Sequence, residues 1–372
     1  MPRLLYLVTE DWYFLSHRLP MAQAARDAGF EVHVATRVVD GGPAIKSEGF
    51  HLHSLNWRRG TTNPFAFLSA VSSVRQLYLT IAPDLVHLVA LWPAIVGSIA
   101  AIGRPMKRLS ALTGLGFAFT SNSFKARVVR TMLRPIIRHL LSGRSAAVLV
   151  QNPDDLAQMT QFGIDRSHLF LIPGSGVDTD RLHSLPEPSG PITVAYVGRL
   201  LDDKGVRTLI AAQASLHAQG DPVRLLIAGE ADPANPATIP PFEIESWRRQ
   251  PDVEVLGHVT DIGLLWAQAH IAVLPSRREG LPKSLLEAAA CGRPIVATDV
   301  PGCRQVARAD ENALLVPTDN PQALAHAMHR LAQDQDLRAR FGKASRALVE
   351  REFATDKIGP ATVALYRELL AS

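Results

Sequence analysis

Two glutamates and the loop between them are the residues whose spacing most clearly points to ligand binding. Glu287 lies eight residues after Glu279. Pro282 suits the first turn of a helix, where a missing N–H costs nothing, and Gly292 suits the position just past its end. The pattern predicts a helix that begins close to Pro282 and carries Glu287 about one turn further on.

The apolar runs on either side of this helix predict its surroundings. Ile271–Leu274 and Ile295–Thr298 have the length and composition of buried parallel strands. A loop that joins such a strand to a helix N-terminus binds anions, because free backbone N–H groups and the helix dipole point at it. Carboxylates repel an anion, so we expect Glu279 and Glu287 to accept hydrogen bonds from hydroxyl groups of the same ligand. A nucleotide-sugar, with its diphosphate between two polyhydroxyl groups, has this chemistry.

A second candidate anion site follows the strand predicted at Ile192–Val197. Gly198 forms the turn after this strand, and Arg199 and Lys204 follow it, five residues apart. An arginine can bind two phosphate oxygens at once, and a lysine adds a compact charge. The sequence therefore predicts two cations at one phosphate-binding loop.

These two elements resemble the donor site of a known family. The run Arg278-Glu279-Gly280-Leu281-Pro282-Lys283, followed by Glu287, is similar to the signature of retaining glycosyltransferases of family 4, which have the GT-B fold. The run Gly198-Arg199-Leu200, followed by Lys204-Gly205, is similar to the element that holds the donor diphosphate in that family.

The resemblance implies a donor site and a mechanism. Arg199, Lys204 and Glu279 would be the catalytic residues. The diphosphate would leave and the acceptor hydroxyl would enter on the same face of the sugar, which retains its configuration, and no metal or other cofactor would be needed. The residues that would bind the donor are Gly198, Val259, Gly280, Leu281, Pro282, Lys283, Ser284, Leu285 and Glu287.

The N-terminal half carries a narrower resemblance. Ser16-His17-Arg18-Leu19-Pro20 and Thr113-Gly114-Leu115-Gly116 are similar to the subgroup that acts on capsule, O-antigen and N-glycan precursors. Many family members have a histidine after this strand where the present chain has Thr-Gly-Leu-Gly, so no catalytic histidine is transferred here. The subgroup implies a UDP-sugar donor, an N-acetylhexosamine as the transferred sugar, and a polyprenyl-diphosphate-linked saccharide as the acceptor.

The loop Glu10–Arg18 is the predicted acceptor loop. It has no glycine, so the Gly-x-Gly-x-x-Gly fingerprint of NAD and FAD enzymes is absent. Its aromatic and polar residues suit either a loop over an acceptor cleft or a helix start packed by its own aromatic rings. His87, at the end of the fourth predicted strand, suits either a ligand cleft or the core and receives no catalytic role. The candidate acceptor-binding residues are Asp11, Trp12, His17, Thr113 and Gly114.

Short apolar runs alternate with helical segments through the chain, which predicts an α/β fold with parallel sheets. The length of 372 residues suits two domains, and the Pro-rich segment Leu185–Pro191 separates them. We expect a GT-B architecture with two Rossmann-like domains facing a cleft. Residues 1–185 would bind the acceptor, 186–353 would bind the donor, and 354–372 would, by resemblance, return as a helix to the first domain. Strands are expected at Arg3–Thr9, Phe30–Thr36, Phe50–Leu55, Asp84–Val89, Arg108–Thr113, Ala146–Gln151, His168–Ile172, Ile192–Val197, Val223–Ala228, Val253–Gly257, Ile271–Leu274, Ile295–Thr298 and Ala313–Val316.

The positive charge of the chain is concentrated in its first half. No acidic residue occurs between Asp84 and Asp154, whereas nine lysines and arginines do. Arg127, Arg130, Arg134 and Arg138 recur at three- and four-residue steps, which predicts a helix with one basic face. Such a basic amphipathic helix is typical of binding to an anionic membrane surface, although a solvated basic face of a domain helix has the same pattern. Nucleic acid is disfavoured, because aromatic residues are not interleaved as stacking platforms. The candidate membrane-binding residues are Lys125, Arg127, Arg130, Arg134 and Arg138.

Two other patterns have competing interpretations. The stretch Leu85–Gly103 lacks charged side chains over the length of a membrane span, but a buried strand followed by a buried helix explains it as well. Asp178 and Asp180 form an Asp-x-Asp pattern that holds a metal in glycosyltransferases of another fold. We interpret both as turn and cap residues and expect no metal.

The cysteine content and the N-terminal segment indicate where the protein is located in the cell. Two cysteines without a disulfide framework indicate a reducing cytoplasm, and the apolar run Leu4–Val8 is too short for a signal peptide. We expect a cytoplasmic protein, peripheral on the inner face of the cell membrane. A nucleotide-sugar epimerase of the same fold would need acids or a histidine in the cleft and no lipid. A non-catalytic nucleotide-sugar-binding partner is a further alternative.

Overall fold

The computed structural model describes residues 1–57, 63–112, 134–135, 138–143, 145–233 and 235–372. The chain forms two compact units, Met1–Ser175 with Thr355–Ser372 and Gly176–Ala354. The Pro-rich segment belongs to the second unit, where Arg293 Nη2 donates to the carbonyl of Pro186 at 2.9 Å and Arg338 Nε donates to Glu187 Oε1 at 2.7 Å.

The first unit is built on a seven-stranded parallel sheet. Its strands are β1 (Arg3–Glu10), β2 (Glu31–Arg37), β3 (His51–Ser54), β4 (Leu85–Val89), β5 (Lys107–Ala111), β6 (Ala146–Val150) and β7 (Leu169–Leu171). The strand order is β3-β2-β1-β4-β5-β6-β7, so the order reverses between β1 and β4. The described helices of residues 1–175 with defined bounds are α1 (Asp11–His17), α2 (Leu19–Asp27), α3 (Gly42–Ser47), α4 (Pro64–Ile81), α5 (Leu91–Ala100) and α6 (Pro153–Phe162).

The second unit repeats this architecture with six parallel strands. They are β8 (Thr193–Val197), β9 (Arg224–Ala228), β10 (Val253–Gly257), β11 (Ile271–Leu274), β12 (Ile295–Thr298) and β13 (Ala313–Val316). The order is β10-β9-β8-β11-β12-β13, so the reversal lies between β8 and β11. The helices are α7 (Val206–Gln219), α8 (Pro241–Arg248), α9 (Ile262–Gln268), α10 (Lys283–Ala290), α11 (Pro301–Val306), α12 (Pro321–Gln333) and α13 (Gln335–Glu352).

The last helix, α14 (Thr355–Ala371), belongs to the first unit. It packs against α2, with Arg367 Nη2 donating to the carbonyl of Ala28 at 3.2 Å. The predicted return of the C-terminal helix to the N-terminal domain is thus confirmed.

The burial of the strands explains why their positions were predictable. A parallel sheet covered on both faces needs strands that are apolar throughout, and all five residues of β4 are buried. Every one of the predicted strands is present in the described chain, with ends within two residues of the prediction. The uncharged stretch Leu85–Gly103 is divided between β4 and α5. No helix of the described segments has both the length and the apolar composition needed to cross a membrane.

Candidate functional site

The candidate donor residues lie at the point of the second sheet where the strand order reverses. Lys204 follows β8 and Glu279 follows β11, and these two strands are neighbours. In open α/β sheets, ligands bind outside the carboxyl ends of the strands at such a point. The Nζ atom of Lys204 lies 2.6 Å from Oε1 of Glu279, so an ion pair joins the two loops.

This ion pair is one of three that join the same loops in consecutive order. Asp202 pairs with Arg277, Asp203 pairs with Arg278, and Lys204 pairs with Glu279. We call these six residues the charge ladder. The backbone adds a bond, because the N–H of Arg277 donates to the carbonyl of Asp203 at 2.9 Å. The ladder holds the two loops in a fixed register at the carboxyl ends of β8 and β11.

Glu279 is the most enclosed member of the ladder. Its side chain is 9% exposed, against 22% for Lys204, and Ser276 Oγ donates to Glu279 Oε1 at 2.7 Å. Ser276 is itself fully buried, and Thr298 Oγ1 donates to its carbonyl. Hydrogen bonds from β12 through Ser276 therefore orient the Glu279 carboxylate.

Arg199 lies on the same β8 loop and is also paired. Its Nη1 lies 2.7 Å from Oδ2 of Asp232, a residue of the loop after β9. The hydroxyl of Tyr196 donates to the backbone carbonyl of Arg199 at 3.0 Å, which orients the turn at Gly198. The Arg199 side chain is 36% exposed, so its outer face is open to solvent.

Helix α10 directs its N-terminus into this region. Pro282 occupies the N-cap position and makes no side-chain hydrogen bond to the first turn. The N–H groups of Leu285 and Leu286 donate to the carbonyl of Pro282 at 3.2 and 3.3 Å. No capping side chain in the described part of the chain balances the positive end of the helix dipole. An anion is favoured at such a terminus. The predicted helix start after Pro282 and end before Gly292 are both confirmed.

Glu287 lies one turn into α10, as predicted. Its side chain is 13% exposed, and Oε1 lies 3.5 Å from Nζ of Lys283. Burial raises the pKa of the Glu287 carboxyl above its ordinary value, and the charge of Lys283 opposes that shift. The free protein therefore holds a carboxylate in an environment that disfavours its charge, which hydroxyl donors of a ligand would offset.

The loops of this region approach each other at distances that only glycine allows. A Cβ atom on Gly205, whose φ is +68°, would lie 2.0 Å from the carbonyl oxygen of Pro275. A Cβ atom on Gly302 would lie 2.4 Å from the carbonyl oxygen of Glu279. The loops after β8, β11 and β12 are thus packed backbone against backbone.

The remaining donor candidates differ in what they can offer a ligand. Leu285 is 1% exposed in the core, and Leu281 and Val259 pack partly buried against it. Their side chains serve the core, so a ligand would meet their main-chain groups. Gly280 and Ser284 lie on the same stretch, in the loop and in the first turn of α10 respectively.

Three of the acceptor candidates, Asp11, Trp12 and His17, lie on helix α1 directly after β1, where the strand order of the first sheet reverses. The Asp11 carboxylate is 1% exposed and accepts from the N–H groups of Trp12, Val39 and Gly41 at 2.7–2.8 Å. It therefore holds the loop after β2 and is not free to face an acceptor. Trp12 is 44% exposed, and Thr113 and Gly114 lie outside the described residues.

His17 and His87 differ in their surroundings. The His17 ring stacks on Tyr13 at 4.3 Å between centroids, and its Nδ1 bonds to Ser16 Oγ, as expected for a helix start packed by aromatic rings. His87 is fully buried, with Nδ1 2.6 Å from the hydroxyl of Tyr366. Burial and the charge of Arg18 hold the pKa of His87 well below its ordinary value. His87 is a core residue that connects β4 to α14.

The basic segment is described only in part. Lys125, Arg127 and Arg130 lie outside the described residues, whereas Arg134 and Arg138 are exposed. Arg134 donates to the carbonyls of Phe162 and Gln161, both at 3.0 Å. These carbonyls end α6, so Arg134 has a structural contact in addition to its exposed charge.

Asp178 and Asp180 form a local turn. Asp178 Oδ1 accepts from the N–H groups of Asp180 and Arg181 at 3.0 and 2.9 Å. An Asx-type turn of this kind accounts for an aspartate at position 178 without a metal.

Sequence reasoning missed most of the charge ladder. Asp202, Asp203, Arg277 and Arg278 received no role, and neither did Asp232 or Ser276. A signal was present, because Asp202-Asp203-Lys204 and Arg277-Arg278-Glu279 carry opposite charges position by position. Reading it required the knowledge that β8 and β11 are neighbours.

Each of the two units matches a family model of glycosyltransferases. Residues 3–152 match the family model described as Glycosyl transferase 4-like, and residues 191–334 match the model described as Glycosyl transferases group 1. The N,N'-diacetylbacillosaminyl-diphospho-undecaprenol alpha-1,3-N-acetylgalactosaminyltransferase of Campylobacter jejuni is 25% identical over 353 residues, which cover 89% of this chain and 91% of that protein.

Two solved structures share the fold. Sucrose-phosphate synthase from Thermosynechococcus elongatus is similar with a TM-score of 0.83 at 22% identity, over 100% of both chains. HepE from Anabaena, in complex with UDP and glucose, is similar with a TM-score of 0.79 at 18% identity, over 99% of this chain and 100% of that one. At these identities, the likeness shows the fold alone.

Proposed function

This chain belongs to the GT-B glycosyltransferases of group 1, with a family 4-like N-terminal domain, and we propose the following donor, acceptor and mechanism for it. It transfers a sugar from a UDP-sugar to a polyprenyl-diphosphate-linked saccharide, with retention of configuration and without a metal. The observation that carries the donor half is the Lys204–Glu279 ion pair across the β8/β11 switch point.

The ion pairs of the free protein support a diphosphate site. Lys204 and Arg199 are both held by carboxylates, Glu279 and Asp232, so the cations are in position before a ligand arrives. A diphosphate offers charge-assisted hydrogen bonds to both cations and to the N-terminus of α10. When it replaces the carboxylate of Glu279 at Lys204, that carboxylate becomes an acceptor for a hydroxyl of the transferred sugar.

The other end of the donor would meet Glu287. A buried carboxylate whose charge is disfavoured gains from accepting hydrogen bonds, and the two ribose hydroxyls of a nucleotide supply two donors. Glu287 lies one turn into α10, eight residues after Glu279 in the preceding loop, which suits a ligand whose sugar and nucleoside lie on either side of the diphosphate.

The transfer step follows from this arrangement. The bond between the anomeric carbon and the diphosphate oxygen breaks, and the electron pair leaves with the diphosphate. The acceptor hydroxyl bonds to the anomeric carbon on the same face, and its proton passes to the departing phosphate oxygen. Lys204, Arg199 and the α10 N-terminus stabilise the growing negative charge, so their positive charge takes the part that a divalent ion has in metal-dependent transferases.

The acceptor and the nucleotide rest on the relatives. The Campylobacter jejuni relative carries an undecaprenol-diphosphate acceptor and an N-acetylgalactosaminyl group in its name, and HepE is described in complex with UDP. HepE supports a UDP-sugar as the donor. The Campylobacter jejuni relative supports an N-acetylhexosamine as the transferred sugar and a lipid-linked acceptor. The exposed Trp12 after β1 offers an aromatic face to a saccharide.

A lipid-linked acceptor also requires the enzyme to reach a membrane surface. The long segment without acidic residues would bind anionic headgroups, with roughly 1 kcal/mol for each lysine or arginine near the surface. This makes the protein a peripheral enzyme at the cytoplasmic face of the membrane.

Calorimetric titration tests the donor half first. UDP, GDP and ADP are titrated separately into the full chain, each with and without EDTA. We expect one nucleotide, UDP, to bind with an affinity that EDTA does not change. Binding that disappears with EDTA would contradict the metal-free site, and no binding of any of the three nucleotides would contradict the donor site.

A transfer assay tests the chemistry and the acceptor. The enzyme is incubated with UDP-N-acetylhexosamines and a short-chain polyprenyl-diphosphate saccharide, and the product is analysed by proton NMR. We expect the α-configuration of the donor to be kept in the product. An inverted product contradicts the mechanism, and transfer to a free saccharide at the same rate contradicts the lipid-linked acceptor.

Vesicle sedimentation tests the membrane contact. The full chain is mixed with phosphatidylcholine vesicles with and without phosphatidylglycerol. We expect binding only to the anionic vesicles and a clear loss in the variant with glutamine at Lys125, Arg127 and Arg130. Arg134 is kept, because it contacts α6. Equal binding to both vesicle types would contradict the proposal.

A further inference from the structure

The edge of the first sheet carries a cluster of imidazole and carboxylate groups that the transfer reaction does not use. Glu31 and His33 alternate along β2, and His51 and His53 alternate along β3. In the parallel register, His33 is paired with His51. Since alternate residues of a strand share a face, all four side chains lie on one face of the sheet.

His33 is at the centre of this cluster. Its Nε2 lies 3.0 Å from Oε1 of Glu31, and its Nδ1 lies 3.0 Å from Nε2 of His53. His51 Nε2 lies 3.8 Å from the same oxygen of Glu31. One ligand atom each from Glu31, His33 and His51 lies within 4.8 Å of the other two.

We propose that Glu31, His33 and His51 bind a divalent transition-metal ion of the zinc type. Four-coordinate zinc has Zn–N and Zn–O distances of about 2.0–2.2 Å, which places neighbouring ligand atoms about 3.3 Å apart. Two of the three separations, 3.0 and 3.8 Å, lie on either side of this value, and the third is within 4.8 Å. The His51 ring stacks on His33, so this exposed ring must rotate out of the stack to complete the site. Two imidazoles with one carboxylate favour zinc, nickel or copper over magnesium and calcium.

His53 is a positioning residue for this site. A metal-bound imidazole normally donates its other N–H to a neighbouring acceptor, which fixes the tautomer and the ring orientation. With the metal on Nε2 of His33, the proton lies on Nδ1 and is donated to His53 Nε2. The bond to His53 therefore already orients the inner ligand.

The exposure of the three ligands differs in a way that suits an ion arriving from solvent. The side chain of His33 is 9% exposed, that of Glu31 39% and that of His51 58%. The inner ligand is fixed by the core, whereas the outer ligand can rotate toward the ion. The fourth position faces solvent and would hold water.

The position in the sheet indicates a structural role. Glu31 and His51 are the first residues of β2 and β3, so the cluster lies at the amino ends of the strands. Ligand crevices of open α/β sheets lie at the carboxyl ends. Strand β3 is an edge strand of four residues, and an ion between β2 and β3 would tether it to the sheet.

Metal binding to the full chain tests the proposal. A chain without an affinity tag is treated with a chelator and dialysed against Zn2+ or Mg2+, and bound metal is measured by elemental analysis. We expect one equivalent of Zn2+ per chain, a higher unfolding temperature with Zn2+, and neither effect with Mg2+. The absence of saturable Zn2+ binding overturns the proposal.

Matched variants locate the ion. His51→Gln changes an exposed side chain, so the chain should fold and lose the bound equivalent. His53→Gln should bind about 10- to 100-fold more weakly, as expected for an outer-shell partner. His217→Gln, at an exposed histidine of the second unit that pairs with Asp252, is the control and should bind like the unaltered chain. Full Zn2+ binding by the His51→Gln chain overturns the site.

A separate readout distinguishes this ion from one at the donor site. Nucleotide titration of the His51→Gln chain should give the same affinity as the unaltered chain, with and without Zn2+. A Zn2+-dependent change in nucleotide affinity that disappears in the His51→Gln chain would overturn the purely structural role.

Discussion

The switch points of the two sheets have the same topology but hold different chemistry. In the second unit, the loops after β8, β9 and β11 carry cations and carboxylates that are paired with each other across the loops. In the first unit, helix α1, which directly follows β1, carries a buried aspartate bonded to backbone N–H groups and a histidine stacked on tyrosine. Charges that are already paired can exchange partners with an anionic ligand, whereas a carboxylate saturated by its own backbone cannot. A polar residue at a switch point can therefore bind a ligand only if the ligand can displace the partner that it has in the free protein.

The largest effect is expected from removing the cation at the centre of the proposed donor site. Lys204→Ala should lower kcat by about 10²–10³, the loss seen when one charge-stabilising group is removed from an active site. Steady-state transfer assays measure it. Lys343→Ala, a lysine on α13 of the same unit, is the control and should turn over normally. An unchanged kcat in the Lys204→Ala variant would contradict a catalytic role for Lys204 at the switch point of the second sheet.

Glu287→Gln should separate ligand affinity from stability. Loss of the charged acceptor should weaken UDP binding about 10- to 100-fold by calorimetry. In the free protein, burial raises the pKa of Glu287, so its ionised form is disfavoured in the folded state. At neutral pH the variant should therefore unfold at a higher temperature than the unaltered chain.

The sign of this stability effect depends on pH. Because the folded pKa lies above the ordinary value of 4.5, the stability linked to protonated Glu287 is fully present below 4.5 and is lost as pH rises through the folded pKa. Below pH 4.5 the carboxyl of Glu287 is protonated in both the folded and the unfolded chain. The higher unfolding temperature of the Glu287→Gln variant should therefore disappear there. A variant that is less stable at neutral pH would contradict the assignment of a disfavoured charge.

Asp11→Ala should affect the fold of the first unit more than its binding. Three partly buried backbone N–H groups lose their acceptor, two of them in the loop after β2, so the free energy of unfolding should fall by about 1–3 kcal/mol in all. Thermal or denaturant unfolding measures it. Asp40→Ala, at an exposed aspartate of the same loop, should have no effect. Equal stability of the two variants would show that the Asp11 carboxylate does not hold the loop.

Arg278→Ala should have the smallest effect of the four. The Asp203–Arg278 pair is more than a third exposed on both sides, and such pairs contribute about 0–1 kcal/mol. The unfolding temperature should hardly change, but kcat/KM should fall because the loop that carries Glu279 loses one of its links. If unfolding temperature falls strongly while kcat/KM is kept, the charge ladder supports the fold and not the site.

The strands and helix α10 were predictable because their signals are local. Runs such as Ile271–Leu274 are apolar over the length of one strand, since both faces of a parallel sheet are covered. Pro282 and Gly292 mark the ends of the helix between them through their own backbone preferences. These features depend only on residues close in sequence, and the family resemblance of the two loops rests on the same short segments.

The partners of the site residues were decided by tertiary structure alone. Lys204 and Glu279 are 75 residues apart, and they meet because β8 and β11 are neighbours in the sheet. Asp11 and Gly41, and likewise His87 and Tyr366, are also brought together only by the tertiary fold. Asp11 and His87 are buried, so their polar groups stabilise the fold. Residue types and their spacing identified the groups that could bind a ligand or stabilise charge. Strand order and burial determined which of these groups are paired, which are enclosed and which are open to a ligand.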